Sequence, residues 1–256
     1  MSVSRLSRWR AALRSLLLQG AWNFDRLQNL GWAFCMEPAL RELYPDRADR
    51  AAALKRHLEL FNTHPYMAGY VLGAALKAES EAAAGLAPVE RVADIKSRLS
   101  PALAAVGDAF FWAALRPAAA MLGVAWLWMA PRPLHLAAPF VFLAVYNLPG
   151  LWLRLHSLEM GWNKGESVAV HVAGLGLPAA TEGLRMAALV LVGALAGCLE
   201  NVSHPASGAR LPLVDSFLFL VAGLAMLLLL RLAVRPVVLL VLCTLGALVL
   251  AMAIPN

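Results

Sequence analysis

Charge is what this sequence has least of. Only 15% of its 256 residues are charged, against 61% apolar ones, and the mean hydropathy is +0.66. That balance excludes an ordinary water-soluble domain, whose composition includes about a quarter charged residues. The three cysteines, Cys35, Cys198 and Cys243, stand far apart in apolar sequence. That spacing excludes a local CxxC redox pair and a cysteine-based zinc cluster, and implies buried thiols. No HExxH, GxSxG or P-loop occurs, and the six histidines lack metal-ligand spacing. "GLGLPA" at 174–179 has the form of a dinucleotide turn, but no βαβ context surrounds it and Pro178 interrupts it. The expectation is a chain with no catalytic residue, cofactor or metal of its own. A cleavable leader is not expected either, because the apolar stretch after Arg5, Arg8, Arg10 and Arg14 is short and lacks a small-residue cleavage pattern.

Long apolar runs are what the chain does have. Residues 237–254 are uninterrupted, and 213–230 carry only Asp215 near one end. Three weaker runs lie at 109–130, 133–153 and 184–199, each short, proline-interrupted or charged. The reading is an all-α integral membrane protein, a multi-span helical bundle with five spans. Arg91, Lys96 and Arg98 precede the first span, Arg154 and Lys164 follow the second, and Arg231 and Arg235 separate the last two; the opposite loops carry only Arg132 and Arg210. By the positive-inside rule the N-terminus is cytoplasmic and the C-terminus external. Residues 1–60 hold ten Lys/Arg against six Asp/Glu, so the positive charge belongs to the inner face, where anionic lipid rather than nucleic acid is the partner.

The chain divides into three parts. Residues 1–100 form interfacial or re-entrant amphipathic helices, 101–200 central membrane helices with a polar loop at 161–167, and 201–256 a C-terminal pair of spans. "LRELYPDRADRAAALKRHLELF" mixes charges densely and reads as an interfacial helix beginning near Asp46. Before it, "LLLQGAWNFDRLQNLGWAF" reads as one helix with Leu17, Ala21, Phe24, Gln28 and Trp32 along a stripe and Gln19, Asn23 and Arg26 opposite. Gln28 there either bonds a backbone carbonyl of a neighbouring helix or takes a sugar-type hydroxyl.

Asn62, Thr63, His64 and Pro65 form a polar break ahead of "YMAGYVLGAALKAE". The spacing predicts a helix opening at Pro65 with Thr63 or His64 as its cap. Two readings stand: a turn at the bilayer surface, or a broken helix at membrane depth presenting free backbone groups to a polar substrate. Farther on, Ser100 caps and Pro101 opens a helix that puts Asp108, Trp112 and Arg116 at i, i+4 and i+8. Charges in such a helix either pair structurally or face a wet site. "GWNKGES" at 161–167 is a glycine-bounded polar loop containing Lys164, and Glu182 and Arg185 stand one turn apart near the start of the third span.

The ordered set "LLQGAWNFDRLQNLGWAF", "KRHLELFNTHPYMAGYVLGAAL", "AAVGDAFFWAALRP", "GWNKGES" and "TEGLRM" resembles the IID membrane component of the mannose/fructose/sorbose-family sugar phosphotransferase system, from about residue 15 to 200. The resemblance implies a bacterial inner-membrane permease subunit, not phosphorylated itself. It pairs with a IIC subunit, as a trimer of heterodimers, to pass a hexose-type sugar that a cytoplasmic IIAB protein phosphorylates from a phosphohistidine. Candidate substrate ligands are Gln28, Asn62, His64, Asp108, Trp112 and Arg116; Asn23, Pro65, Lys164 and Glu182 are candidate structural or gating residues. This chain has "SPALAAVGD" where the family has a glycine-rich "GPLAGVGD", and "VAVHVAG" where acidic residues are usual. A second reading is therefore a regulatory IID-like subunit that assembles without moving sugar.

Overall fold

A computed structural model of the chain describes residues 2–203, and side-chain surroundings through residue 195. The runs at 213–230 and 237–254 lie outside the described residues, as do Cys243 and the Arg231/Arg235 pair. Among the described residues three helices are long and apolar enough to cross a membrane, Glu90–Met129, Arg132–Ala173 and Leu177–Leu195. They overlap the runs at 109–130, 133–153 and 184–199, and each begins upstream of its run.

Ahead of the spans come four helices: α1 (Arg5–Arg14), α2 (Asn29–Leu43), α3 (Arg47–His57) and α4 (Ala68–Ala83). The first span is a rod made of α5 (Glu90–Gly107), a π-helical stretch (Asp108–Leu115) and α6 (Arg116–Met129). The second begins with a 3₁₀ turn and continues as α7 (Ala138–Lys164), followed by α8 (Val168–Ala173); α9 (Leu177–Ser203) opens the third. Through Val192 these elements build one compact unit.

Its centre is α4 against α7, and glycine sets the distance between them. A Cβ on Gly73 would lie 2.0 Å from the carbonyl oxygen of Leu158, and one on Gly161 would lie 2.2 Å from that of Tyr70. The two backbones touch where no side chain fits, the small-residue mode of packing helices in lipid. α1 is fastened to α7 at both ends. The Arg8 guanidinium bonds Glu159 at 2.9 Å and lies over the Trp162 ring, while the buried Arg154 donates to the carbonyl of Ser15 at the open end of α1.

A second anchor joins α2, α3 and α4. Trp32 Nε1 donates to His57 Nδ1 at 3.0 Å, His57 Nε2 meets Glu79 at 3.2 Å, and Glu79 also receives the Tyr44 hydroxyl at 2.9 Å and the Arg56 guanidinium. Glu79 and His57 are both fully buried. Burial pushes the His57 imidazole down despite the adjacent carboxylate. The accepting role of Nδ1 agrees, since a proton there would break the Trp32 bond. Burial alone would raise Glu79, but hydrogen bonds from His57 and Arg56 outweigh it and hold the carboxyl below its usual range. A neutral histidine and an arginine-neutralised carboxylate make this buried network tolerable.

Four local expectations are corrected. The helix read through Gln28 does not exist: residues 18–28 are turns, α2 starts at Asn29, and Phe24, read on the same stripe as buried Trp32, is 92% exposed. Asn23 is the cause. Its Oδ1 accepts from the Arg26 N–H and its Nδ2 donates to Asn29 Oδ1, offering the backbone an alternative to helix, and Leu27 takes φ +57°. Next, α4 begins at Ala68 rather than Pro65, because Met67 N–H bonds the His64 carbonyl in a turn and His64 Nδ1 takes the Tyr66 N–H. Third, Ser100 and Pro101 are interior to α5, where Ser100 Oγ donates to the carbonyl of Lys96 at 2.5 Å. Finally, Arg154 and residues 161–164 are helical, so only Gly165–Ser167 of "GWNKGES" leaves the α-helix.

Candidate functional site

Two irregular segments, 18–28 and 58–67, meet ahead of the spans. Inside a membrane such segments need partners for every backbone group, and here they supply one another. Gln28 N–H donates to the Phe61 carbonyl at 2.9 Å and Phe61 N–H to the Arg26 carbonyl at 3.4 Å. The Gln28 side chain completes the join: Nε2 donates to the Thr63 carbonyl at 2.9 Å and Oε1 accepts the Thr63 N–H at 3.1 Å. Thr63 Oγ1 then reaches the carbonyl of Ser100 at 3.0 Å, tying the break to the first span. Gln28 is 2% exposed.

The residue after Thr63 is different. His64 is 1% exposed, its Nδ1 accepts the Tyr66 N–H at 3.3 Å, and its Nε2 is buried without a hydrogen-bond partner among the described residues. A neutral ring bonded in this way carries its proton on Nε2. The imidazole stacks on Phe111 at 5.0 Å and 14°, and the edges of Trp112 and Tyr66 close on it at 4.8 and 5.4 Å. Gly107 makes room for it, since a Cβ there would fall 2.4 Å from His64 Cβ. The Tyr66 hydroxyl donates to Asn147 Oδ1 at 3.2 Å, bringing α7 to the same cluster.

The candidate residues therefore separate. His64 and Trp112 are in ring contact, Gln28 braces the segment beside them, and Pro65 is buried in its turn. Asn62 lies on the same break, exposed and without a described hydrogen bond. Asp108 and Arg116 flank the cluster on the π-helical stretch and at its end; both are exposed, and neither has an ion pair among the described residues. Asn23 is engaged in its own turn. Lys164 lies elsewhere, in a cleft of about 240 Å³ where Arg91 bridges Glu81 and Glu166 at 2.9 and 2.7 Å. Glu182 pairs with Arg185 at 3.7 Å on α9.

Tyr66, Phe111 and Asn147 were missed in the sequence reading. The first two look like ordinary apolar-helix residues. Asn147 does carry a signal, a lone amide two residues before Pro149 in an apolar run. The π-helical turn has no sequence mark; its i→i+5 bond, Arg116 N–H to the Phe111 carbonyl, shifts the residues after it by one place.

Comparison with known proteins supplies the family. The family description "PTS system mannose/fructose/sorbose family IID component" matches residues 2–254. The chain is 36% identical over 202 residues to the mannose-specific EIID component of Escherichia coli K12, covering 78% of this chain and 70% of that one. It is 33% identical over 204 residues to the sorbose-specific EIID component of Klebsiella pneumoniae, covering 79% and 73%, and 31% identical over 200 to the fructose permease IID component of Bacillus subtilis, covering 78% and 71%. In structure it is similar to a chain of the cryo-EM complex of the mannose transporter ManYZ with microcin E492, with a TM-score of 0.59, 32% identity and coverage of 98% and 96%. A second solved chain, titled only as a membrane protein, gives 0.69 at 31% identity, covering 99% of this chain and 97% of that one. With its apolar helices and a family match over nearly its whole length, this chain belongs to the IID membrane components of the mannose/fructose/sorbose phosphotransferase family.

Proposed function

We propose that this chain forms part of the translocation path of a hexose-type sugar, and that the cluster around His64 is its contribution to the sugar site. The observation that carries the proposal is the His64 imidazole: a buried ring whose Nε2–H has no partner among the described residues, clasped by Phe111, Tyr66 and Trp112. A buried donor without a partner destabilises the fold by about 1–3 kcal/mol, and such groups persist where a ligand completes them. A sugar hydroxyl is a fitting acceptor. Trp112, 40% exposed, offers an aromatic face and edge to the C–H face of a pyranose. Asn62 and Asp108, exposed and without a side-chain partner among the described residues, are the further hydroxyl ligands. Gln28, with its amide engaged by Thr63, positions the break rather than touching sugar.

A second subunit completes the path. Asp108 and Arg116 belong to a spanning rod, and a charge facing lipid there is unfavourable by about 2.5–3.5 kcal/mol. A IIC subunit covering this face, as a trimer of heterodimers, would solvate or pair both. Phosphorylation is the work of a IIAB partner carrying phosphohistidine. The orientation is N-terminus inside and C-terminus outside.

The test is sugar uptake and sugar affinity after coexpression with IIC and IIAB. His64→Gln and Trp112→Leu should lower affinity at normal membrane abundance. Uptake that is normal without this chain would refute the reading.

A further inference from the structure

The outer surface of α2 changes character along its length. Leu30, Phe34, Glu37 in part, and Arg41, spaced four, three and four residues apart, form one exposed stripe; Glu42, also exposed, lies beside it with its carboxylate accepting the Ser4 N–H at 3.1 Å. Leu30 and Phe34 are 47% and 42% exposed large apolar side chains. Arg41, two turns on, opens into a cleft of about 520 Å³ between the C-terminal end of α2 and α3, lined also by Leu40, Arg47, Arg50, Ala51 and Leu54.

The cleft holds three guanidinium groups and one carboxylate. That carboxylate, Glu37, is already engaged by Arg14 at 2.7 Å and by Arg41. Arg47 makes no described side-chain bond, and Arg50 uses only Nη1, donating to the carbonyls of Tyr44 and Pro45 at 3.2 and 3.3 Å. The neighbouring Asp46 is turned to the start of α3, accepting from the N–H groups of Ala48 and Asp49 at 2.7 and 3.1 Å. Several planar fork donors are thus left facing a half-open cavity with an apolar floor at Leu40, Ala51 and Leu54. Arginine forks match phosphate bidentately.

We propose that this cleft binds the phosphate of an anionic phospholipid whose apolar part runs along Phe34 and Leu30. The seven steps from Phe34 to Arg41 span about 10 Å at 1.5 Å per residue, on the order of the 5–10 Å depth that an interfacial helix reaches past the headgroup boundary. The apolar half of the stripe distinguishes a lipid from a free phosphate ion, which would need only the arginines. The site lies apart from the His64 cluster and is independent of the sugar-path reading.

The test is native mass spectrometry of the full-length chain, extracted in mild detergent with whatever subunits stay bound, with phosphatidylglycerol or phosphatidylcholine added. Wild-type protein should retain phosphatidylglycerol at least about tenfold better than phosphatidylcholine. Arg47→Gln, which removes no described bond of the fold, should cut that retention severalfold, as should Phe34→Ser, while 10 mM inorganic phosphate, roughly what saturates weak anion sites of millimolar affinity, should not displace the lipid. Equal retention of the two lipids, unchanged retention in Arg47→Gln, or displacement by inorganic phosphate would each overturn the proposal, the last by showing a free-anion site.

Discussion

The Gln28 carboxamide meets both backbone groups of Thr63, donating at 2.9 Å and accepting at 3.1 Å, and so adds a side-chain clasp to the backbone bonds that join the two irregular segments of the fold. Removing it in Gln28→Ala leaves a buried N–H and a buried carbonyl unbonded, at about 1–3 kcal/mol each. Membrane abundance and thermal stability should fall together. Unchanged melting and abundance would show that the join does not depend on this side chain.

The α4–α7 contact predicts that Gly73→Ala is destabilising by roughly 1–3 kcal/mol through overpacking. Its Cβ would meet the Leu158 carbonyl at 2.0 Å. Gly183→Ala is the control: its Cβ meets nothing within 4 Å among the described residues, and the change should be neutral or slightly stabilising. Equal thermal shifts in the two variants would contradict the packing argument.

The Trp32–His57–Glu79 network predicts a direction for the pH dependence. His57 titrates below its ordinary 6.5 in the folded chain, so the unfolded chain takes its proton first as pH falls. Its contribution is full above about 6.5 and is lost as pH falls through the folded value. Glu79, held below 4.5, adds a loss in the same direction at lower pH. The melting temperature should be flat from pH 7 to 8 and fall below 6.5, and His57→Gln should flatten the upper part of that fall. A melting temperature that rises on acidification to pH 5.5 would contradict the assignment.

Orientation is testable at two described turns. Arg132→Cys, between the first two spans, should react with a membrane-impermeant maleimide in intact cells, and Ser167→Cys, beyond α7, only after permeabilisation. The reverse pattern would invert the topology.

Much of this fold was legible in the sequence, and the exceptions have physical causes. Hydrophobic length and the scarcity of charge marked the first three spans, and the Pro45–Asp46 pair marked the start of α3, whose cap is Asp46 itself. The polar break at 62–65 was visible as well. Its counterpart at 18–28 was not, because "QGAWNFDRLQN" keeps a helical apolar period while Asn23 and Leu27 adopt a turn fixed by local side-chain bonds and by pairing with residues 58–67. Ser100–Pro101 misled for a related reason. Proline is common at helix starts, but α5 absorbs it in its interior, where the Ser100 carbonyl is engaged by Thr63. For the candidate site, His64 and Trp112 stood out as polar or amphipathic residues in apolar sequence, whereas Tyr66, Phe111 and Asn147 join them only through helix packing, which sequence period does not encode.

The central claim is that His64 Nε2 waits for a sugar hydroxyl, and the affinity of the assembled permease for its sugar tests it most directly. Wild type and His64→Gln are compared at matched membrane abundance, with Arg91→Gln, in the separate cleft beside Lys164, as the control. Loss of one buried hydrogen bond of about 1–3 kcal/mol predicts that affinity weakens roughly fivefold to a hundredfold in His64→Gln and is unchanged in Arg91→Gln. Unchanged affinity in His64→Gln at normal abundance would contradict the account.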